Sequence, residues 1–337
     1  YEALLNGQPF STGSSVSLPG AYTLVVNARN GLATATRQVS FSIAAPTGGT
    51  LIIRMFDLGR DTAAGGSGDA ILVTDSSAAG LVHAIIDAGP DFVAGLPYVA
   101  NRLASLGVDT LAFMLLTHAH GDHYLGMQSI LNSVKVRTFY HNGQVRNLAS
   151  YTSLLSLAGS RADSVIILRD TLGLGFGRSA VQARFTLIHG LPTWLNSHTN
   201  DGTQLNEGSL GASLRRGAFS MFFTGDGEYL ANARWRTQFA NYTRDLTVLK
   251  VGHHGANNAI FDAGTTGPSS WLDHTSPSVS IISASGTHHP RLRALARLMQ
   301  QPGNRTYCTS VHGDIVIRVW ADASYQVYPQ RAADSDC

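Results

Sequence analysis

The feature that most constrains this chain is a histidine-rich segment that directly follows an apolar run. Residues 110–116, TLAFMLL, lead through Thr117 into His118-Ala119-His120-Gly121-Asp122-His123. The apolar run predicts a buried strand, and the helical spacing of residues 122–132 predicts a helix after it. Imidazole and carboxylate groups at this spacing can converge on one transition metal. The segment therefore predicts a metal-binding loop between a strand and a helix.

Other apolar runs also end in polar clusters, and helical spacing appears between some of them. Hydrophobic residues make up 44% of the 337 residues and charged residues 14%, which excludes a disordered chain. Consecutive and helix-separated strands in one chain are typical of a mixed α/β sandwich. The further predicted strands are 51–56, 70–74, 81–86, 185–188, 220–224, 246–251 and 279–283, and the further predicted helices are 92–106 and 290–300.

The N-terminal segment has a different pattern, with short apolar runs between turn signals such as Asn6-Gly7 and Asn30-Gly31. It predicts an all-β structure. The stretch GAYTLVVNARNGLATATRQVSFSI resembles the second half of a bacterial immunoglobulin-like domain; a β-extension packed on the main domain is the alternative. We expect residues 1–47 to form this segment with its linker, and residues 48–337 to form the main domain.

Charge, cysteine content and hydropathy exclude several protein classes. The net charge is +2 without any Lys/Arg tract, so no nucleic-acid-coating tail is encoded. No apolar run reaches the roughly 18 residues that a membrane span needs, and the chain opens without a signal-peptide pattern. We therefore expect a soluble chain from which any signal peptide has been removed. Cys308 and Cys337 either form one bridge or remain two unrelated thiols.

The histidine loop resembles the signature of the metallo-β-lactamase fold superfamily. The resemblance implies an αββα sandwich with a dinuclear metal site at one edge. Two further motifs occur in the family's order. The segment IIDAG contains Asp87, which the resemblance implies to brace the metal loop, and FFTGDG contains Asp226, which it implies to bridge the two ions.

Another ligand is expected in the segment VLKVGHHG. Successive side chains of an extended segment face opposite ways, so His253 and His254 cannot both point at one site. We expect His253 to be the ligand and His254 to lie behind it or to contact substrate, with the reverse order open. Many members carry a ligating histidine before the bridging aspartate, where this chain has Asn206. Either Asn206, a weaker oxygen donor, or His189 would complete the first ion's ligands.

A longer set of motifs resembles the metallo-β-lactamase-like domain of the ComEC-type competence proteins and their stand-alone relatives. The resemblance covers roughly residues 51–327. It implies that Asp69, in GSGDAILV, lies near the site, although residues 60–67 form an insertion here. In GTHHPRLRALARL it makes His289 a candidate for orienting a substrate oxyanion, or alternatively a cap for the following helix.

The resemblance implies two divalent metal ions, with zinc expected first and manganese as the alternative. We expect His118 and His120 on one ion, Asp122 and His253 on the other, and Asp226 between them; His123 completes the candidate set. Hydroxide generated from water on the ions would be the nucleophile, and Asp122 or a nearby histidine would handle the proton.

The expected function is a secreted, periplasmic or cell-surface phosphodiesterase or nuclease. Its substrate would be a small-molecule or nucleic-acid phosphodiester, which arginines at 215–216 and 291–297 could hold. The sequence leaves the oligomeric state open. The alternative is a carboxyl-substrate hydrolase on the same site, such as a lactonase, an esterase or a β-lactamase-like enzyme. A third reading is a non-catalytic surface binding module that has lost a metal.

Overall fold

The structure is a computed structural model, and it describes most of the chain. The described residues are 1–10, 20–31, 33–43, 48–59, 68–90, 92–93, 96–190, 202–286, 288–331 and 337. The predicted linker falls largely outside them, and so does the whole of the predicted insertion at 60–67.

The N-terminal segment forms a separate four-stranded antiparallel sheet, which confirms the all-β prediction. Its strands lie in the order β2-β1-β3-β4, with an eleven-pair register between β3 and β4. The rings of Tyr22 and Phe41 stack across this pair with centroids 5.4 Å apart. The likeness to an immunoglobulin domain stays a prediction. The strands are β1 (Glu2–Leu5), β2 (Gln8–Pro9), β3 (Gly20–Asn30) and β4 (Ala33–Ile43).

The main domain contains two large sheets. The first has eight strands in the order β12-β11-β10-β7-β6-β5-β20-β21. Strand β10 runs parallel to both β7 and β11, so their carboxyl ends lie at one edge. The strands of this sheet are β5 (Thr50–Met55), β6 (Ala70–Ser77), β7 (Gly80–Ala88), β10 (Thr110–Leu116), β11 (Lys135–His141), β12 (Ala162–Ile167), β20 (Ile315–Val319) and β21 (Tyr325–Pro329).

The second sheet has seven strands in the order β13-β14-β15-β16-β17-β18-β19. The strands from β16 to β19 are parallel. Its strands are β13 (Leu172–Phe176), β14 (Ala183–Ile188), β15 (Gly211–Arg216), β16 (Phe219–Phe223), β17 (Val248–Lys250), β18 (Val279–Ile282) and β19 (Arg305–Cys308). A two-residue pair, β8 (Phe92–Val93) with β9 (Leu96–Pro97), lies outside both sheets.

Helices lie along the chain between the strands. They are α1 (Tyr98–Ser105), α2 (Gly121–Ser133), α3 (Ala149–Arg161), α4 (Gly202–Glu207), α5 (Tyr229–Gln238), α6 (Ala240–Thr243), α7 (Ser270–Thr275), α8 (Leu292–Met299) and α9 (Thr309–His312), with short 3-10 turns at Gly252–Gly255 and Asn257–Ala259.

The main domain has four layers, and a buried hydrophobic cluster lies between each pair of neighbouring layers. Alternate residues of β5, such as Leu51 and Ile53, pack with Phe185 and Met221 of the second sheet and form the central core. The outer face of the first sheet packs on α1, α2 and α3. The outer face of the second sheet packs on α5, α7 and α8, with Trp235 fully buried there. The αββα sandwich is therefore confirmed, because each sheet buries alternate side chains on its two faces.

Every strand predicted in the main domain corresponds to an observed strand, but seven of the fifteen strands of the two large sheets were not predicted. The predicted strand at 110–116 matches β10 residue for residue. The helix predicted at 92–106 begins only at Tyr98, because β8 and β9 precede it. Strand β11, which pairs with β10, and helix α3 are among the elements that were not predicted.

The two cysteines form a disulfide between Cys308 at the end of β19 and Cys337, with Cα atoms 5.3 Å apart. Of the two alternatives for the cysteines, the bridge is confirmed. It ties the end of the chain to the second sheet. Among the described residues, no helix has the length and apolarity to cross a bilayer.

We predict that Cys337→Ser lowers the free energy of unfolding by about 3 kcal/mol, because the bridge closes a loop of 29 residues and so restricts the unfolded chain. Urea denaturation without reductant measures this. A reducing agent should destabilise the wild type by the same amount and leave the variant unchanged. Equal midpoints for wild type and variant would contradict the prediction.

Candidate metal centre

Four side chains converge at the edge where the carboxyl ends of β7, β10, β16 and β17 lie. The Nε2 atom of His254 is 3.2 Å from Oδ2 of Asp226 and 3.4 Å from Oδ2 of Asp122. The Nε2 atom of His123 is 3.3 Å from Oδ1 of Asp226. The ligand atoms of these four residues lie within 4.8 Å of one another. Two imidazoles and two carboxylates at this spacing could hold one divalent cation.

A second group of ligand atoms shares Asp226 with the first. The Nε2 atom of His118 lies 2.9 Å from Nδ1 of His120 and 3.9 Å from Oδ2 of Asp226. These atoms also fall within 4.8 Å of one another. Asp226 has one oxygen toward His123 and the other toward His118 and His254, so its carboxylate could serve two neighbouring cations.

Asp87 braces the histidine loop from behind. It ends β7 with a positive φ of 53° and is fully buried. Its carboxylate accepts hydrogen bonds from the backbone N and the hydroxyl of Thr117, at 2.8 and 2.7 Å, and lies 2.8 Å from Nδ1 of His123. The Thr117 hydroxyl lies 3.1 Å from Nδ1 of His118. One carboxylate thus sets the orientation of two imidazoles.

His254 is oriented in a similar way, by a backbone group. Its Nδ1 lies 2.8 Å from the carbonyl oxygen of Ser283, at the end of β18. An Nδ1–H donor held by an acceptor leaves Nε2 as the free donor for a metal. The Nε2 atoms of His123 and His254 and the Oδ1 atom of Asp226 are buried and have no hydrogen-bond partner among the described residues. Because buried polar atoms are normally paired, this donor set fits a divalent cation.

The pKa values of the buried groups at the centre depend strongly on one another's charge. Burial by itself would raise the pKa of Asp226, but the charges of His254 and His123 hold it well below its usual range. For His254, burial lowers the pKa, yet the nearby carboxylates of Asp226 and Asp122 raise it to about 9. The pKa of His123 is raised for the same reasons, against burial. Without a cation, protons on these two imidazoles balance the carboxylates.

The pKa values of the other two histidines of the loop, His118 and His120, are lowered and not raised. Burial, followed by the neighbouring imidazoles of His123 and His120, lowers the pKa of His118 well below its usual range. Burial also lowers the pKa of His120, against the charge of Asp122. Both imidazoles are therefore neutral at physiological pH, the form that binds a metal.

Asp69 lies behind the centre and is paired with a buried lysine. Its carboxylate forms an ion pair with Nζ of Lys250, and that side chain is fully buried on β17. Lys250 also donates a 3.0 Å hydrogen bond to the carbonyl oxygen of Gly225. Asp69 lies 3.8 Å from Nδ1 of His254 and 3.9 Å from Nδ1 of His123. The resemblance implied that Asp69 lies near the site, and its place behind the imidazoles suits a supporting role.

The structure reverses the predicted order of His253 and His254. His254 lies in the group with Asp226, whereas His253 turns away, with its Nδ1 2.9 Å from Oε1 of Glu228. The segment is a 3-10 turn and not an extended strand, with φ of 42° at His253 and 53° at His254. Because both residues have left-handed backbone, the alternation expected of a strand does not apply.

The remaining predicted site residues lie around this centre or away from it. Asn206 is buried, and its Nδ2 donates to Oε1 of Glu228 at 2.7 Å. His289 lies at the mouth, with its ring centroid 5.3 Å from that of His253. His189 lies apart from the metal groups; its Nε2 is 2.8 Å from Nη2 of Arg234. His189 is thus outside both groups of ligand atoms.

Sequence analysis missed two buried charged residues beside the centre. Lys250 interrupts the apolar residues 248–251, and a lysine inside a buried strand is a signal for a buried ion pair. Glu228 stands two residues after Asp226, and no sequence pattern marked it. Its importance depends on its contacts with residues distant in the chain.

We predict that zinc affinity rises with pH up to about 9. A cation must displace the proton from Nε2 of His254, whose pKa is raised to about 9, so below that pH the proton competes with the metal. The apparent affinity should fall about tenfold per pH unit for each proton displaced. Calorimetric titration in buffers of different ionisation enthalpy measures the protons released. Binding at pH 7 without proton release would contradict this.

We also predict that Asp87→Asn weakens zinc binding by about 10–100-fold, because the amide group presents a donor to His123 and removes its bracing acceptor. A competition titration with a chromophoric chelator measures the affinity. Asp75→Asn is the matched control, since Asp75 is another buried carboxylate, bound to the backbone N of Arg178 and Ser179. An equal loss in both variants would argue against the bracing role.

Comparisons with known proteins identify the family to which the chain belongs. The family model described as "Beta-lactamase superfamily domain" matches residues 83–286. A search of curated proteins found no match. Among solved structures, the chain is similar to CmlA, a diiron beta-hydroxylase from Streptomyces venezuelae, at 15% identity and a TM-score of 0.48. That match covers 82% of this chain and 55% of the hydroxylase, so the chain spans about half of the hydroxylase's length.

Two smaller proteins are similar over nearly their whole length. A diphosphatase of the PhnP family shares 12% identity at a TM-score of 0.44, covering 80% of this chain and 99% of the diphosphatase. The short form of human tRNase Z shares 10% identity at a TM-score of 0.39, covering 69% of this chain and 92% of that protein. The family match extends over more than half of the chain and includes the histidine loop, Asp226 and His254. The chain belongs to the beta-lactamase superfamily.

Proposed function

We propose that this protein is a hydrolase, specifically a phosphodiesterase that acts on a nucleic acid or a small phosphodiester with two divalent cations. The observation that carries the proposal is the pair of ligand groups that share Asp226. In this proposal His118, His120 and Asp226 hold one ion, and the other is held by Asp122, His123, His254 and Asp226. Zinc is the first candidate because imidazoles dominate the donors, and manganese is the alternative because carboxylates are also present.

Two bound cations would supply a nucleophile from water at neutral pH and would polarise the phosphoryl oxygen. Asp122 is the carboxylate closest to solvent, with 34% of its side chain exposed. Burial raises its pKa, but the charges of His123 and His254 lower it to about 2. It is therefore ionised at neutral pH and can accept a hydrogen bond from the attacking water.

The mouth of the centre carries hydrogen-bond donors that suit an anion. Arg146 donates to the carbonyl oxygen of Ala119 and lies close enough to lower the pKa of His120. Arg291 is exposed beside His289. Burial, with the charges of neighbouring His254 and His253, lowers the pKa of His289 to about 4, so its imidazole is neutral. Guanidinium groups next to a metal centre favour phosphate oxygens.

The other arginines considered as phosphate contacts have structural roles. Arg216 is buried, and its guanidinium donates to the carbonyl oxygens of Gly48 and Gly49, both at 2.9 Å. Arg215 donates to the carbonyl oxygen of Asn241. Both lie on β15, away from the metal-ligand groups, so the expected substrate contact at residues 215–216 is withdrawn.

Export from the cytoplasm is a further part of the proposal. The disulfide between Cys308 and Cys337 supports it, because structural disulfides persist mainly in oxidising compartments. Export also suits the separate N-terminal sheet, if that sheet is an immunoglobulin-like module of the kind that accompanies surface enzymes. The ComEC-type resemblance agrees with a phosphodiester substrate.

The test compares hydrolysis of bis-p-nitrophenyl phosphate with that of a chromogenic lactam and a simple aryl ester. Protein loaded with zinc or with manganese should cleave the diester, and Asp226→Ala should reduce turnover by at least about 100-fold because both ions lose a shared ligand. Asp262→Ala, which changes a carboxylate hydrogen-bonded to Ser270, is the control and should keep full activity.

Cleavage of the lactam or ester alone would overturn the phosphodiesterase proposal and favour the carboxyl-substrate hydrolase. Absence of turnover on all three substrates, with both ions bound, would favour a binding module. Unchanged turnover in Asp226→Ala would overturn the metal-ligand assignment itself.

A further inference from the structure

Glu228 is a buried carboxylate that touches two neighbours of the metal centre and has no assigned role. It directly precedes α5, and only 1% of the residue is exposed. Its Oε1 atom accepts a hydrogen bond from Nδ2 of Asn206 at 2.7 Å and lies 2.9 Å from Nδ1 of His253. Its Oε2 atom is buried and has no hydrogen-bond partner among the described residues. Burying a carboxyl group is costly unless hydrogen bonds or opposite charges compensate it.

The contact with Glu228 determines which way the Asn206 amide faces. Because the carboxylate can only accept, Nδ2 must be the atom that faces it. The carbonyl oxygen Oδ1 then faces the other way, and it is buried without a hydrogen-bond partner in the described part of the chain. A buried carbonyl oxygen with no donor is a ready ligand for a cation.

Backbone contacts hold the Asn206 turn beside both halves of the centre. The carbonyl oxygen of Asn206 accepts from the backbone N of Ser209 at 2.9 Å, and the Ser209 hydroxyl accepts from the backbone N of Asp226 at 3.2 Å. The next residue, Leu210, donates to the carbonyl oxygen of Thr117 at 3.0 Å. The turn is therefore tied to the bridging aspartate and to the start of the histidine loop.

The two ligand groups differ in completeness. The group at Asp122, His123, Asp226 and His254 has four donors, and hydrogen bonds to Asp87 and Ser283 orient its imidazoles. The group at His118, His120 and Asp226 has three. Tetrahedral zinc sites use four ligands, so the second group lacks one protein donor or leaves that position to water.

We propose that Glu228 is a positioning residue that presents Oδ1 of Asn206 to the cation held by His118, His120 and Asp226. This inference rests on the proposed two-cation site and adds the residue that controls its weaker half. A neutral amide oxygen is a poorer ligand for zinc than an imidazole. The position at His118 and His120 therefore fills second and with lower affinity, and its occupancy depends on Glu228.

The test measures metal binding without substrate, so that it is independent of the phosphodiesterase assignment. Zinc is titrated into the full chain by calorimetry, and cobalt absorption spectra report the coordination of each ion in turn. The wild type should bind two ions in separate steps. Glu228→Leu and Asn206→Ala should weaken the second step by about 10–100-fold and leave the first unchanged.

Two conservative variants distinguish positioning from a structural role. Glu228→Gln keeps an oxygen that accepts from Asn206 and should retain most of the second-step affinity. Asn206→His supplies an imidazole and should tighten the second step. If Glu228→Leu does not fold, as judged by circular dichroism, Glu228→Gln and Asn206→His still decide the matter. Asn304→Ala is the control, because Oδ1 of Asn304 also has no hydrogen-bond partner among the described residues, but Asn304 lies next to Leu298, away from the ligand groups.

Equal weakening of both steps, or of neither, in both Asn206→Ala and Glu228→Leu would overturn the positioning role. An unchanged second step in Asn206→His would overturn the placement of Asn206. A wild type that binds only one ion would overturn the two-cation site. Normal two-step binding without diester cleavage would overturn only the proposed substrate.

Discussion

The structure of the functional edge depends on the burial of several carboxylates close together. Asp69, Asp87 and Asp226 are all buried there, and Asp122 stands beside them at the mouth. Buried like charges are unfavourable unless cations or hydrogen-bond donors compensate them. Lys250 compensates Asp69, and the Thr117 donors compensate Asp87. The charge on the other two carboxylates is balanced by protonated imidazoles or by metal ions.

The candidate ligands come from the ends of strands. The parallel strands β7 and β10 deliver Asp87 and the histidine loop, and β16 and β17 deliver Asp226 and His254 at the same edge. The two hydrophobic layers behind the strands hold their ends in place. Rigid strands keep the imidazoles oriented before a cation arrives, so little conformational entropy is lost on binding. The position that depends on Asn206 lies on a turn and lacks this support.

Local spacing was enough to identify much of the site. The residues from His118 to His123 lie within six positions, and Asp87 and Asp226 each end an apolar strand, so their patterns are visible in the sequence. The order of His253 and His254 was not, because it depends on left-handed backbone in a turn that looks like the end of a strand. Arg216 was expected to hold substrate, but it is buried against the backbone at Gly48 and Gly49.

The sequence by itself determined the layered α/β class and the candidate metal-binding loop, because hydrophobic periodicity and ligand spacing are local properties of the chain. The place of Asp226 at the site followed from the family resemblance. Only the tertiary structure decided which residues share one centre. Asn206, Glu228 and His253 are separated by more than twenty residues at each step, yet they meet in one hydrogen-bonded group. Their roles follow from the packing of the second sheet against its helices, and no local pattern records such contacts.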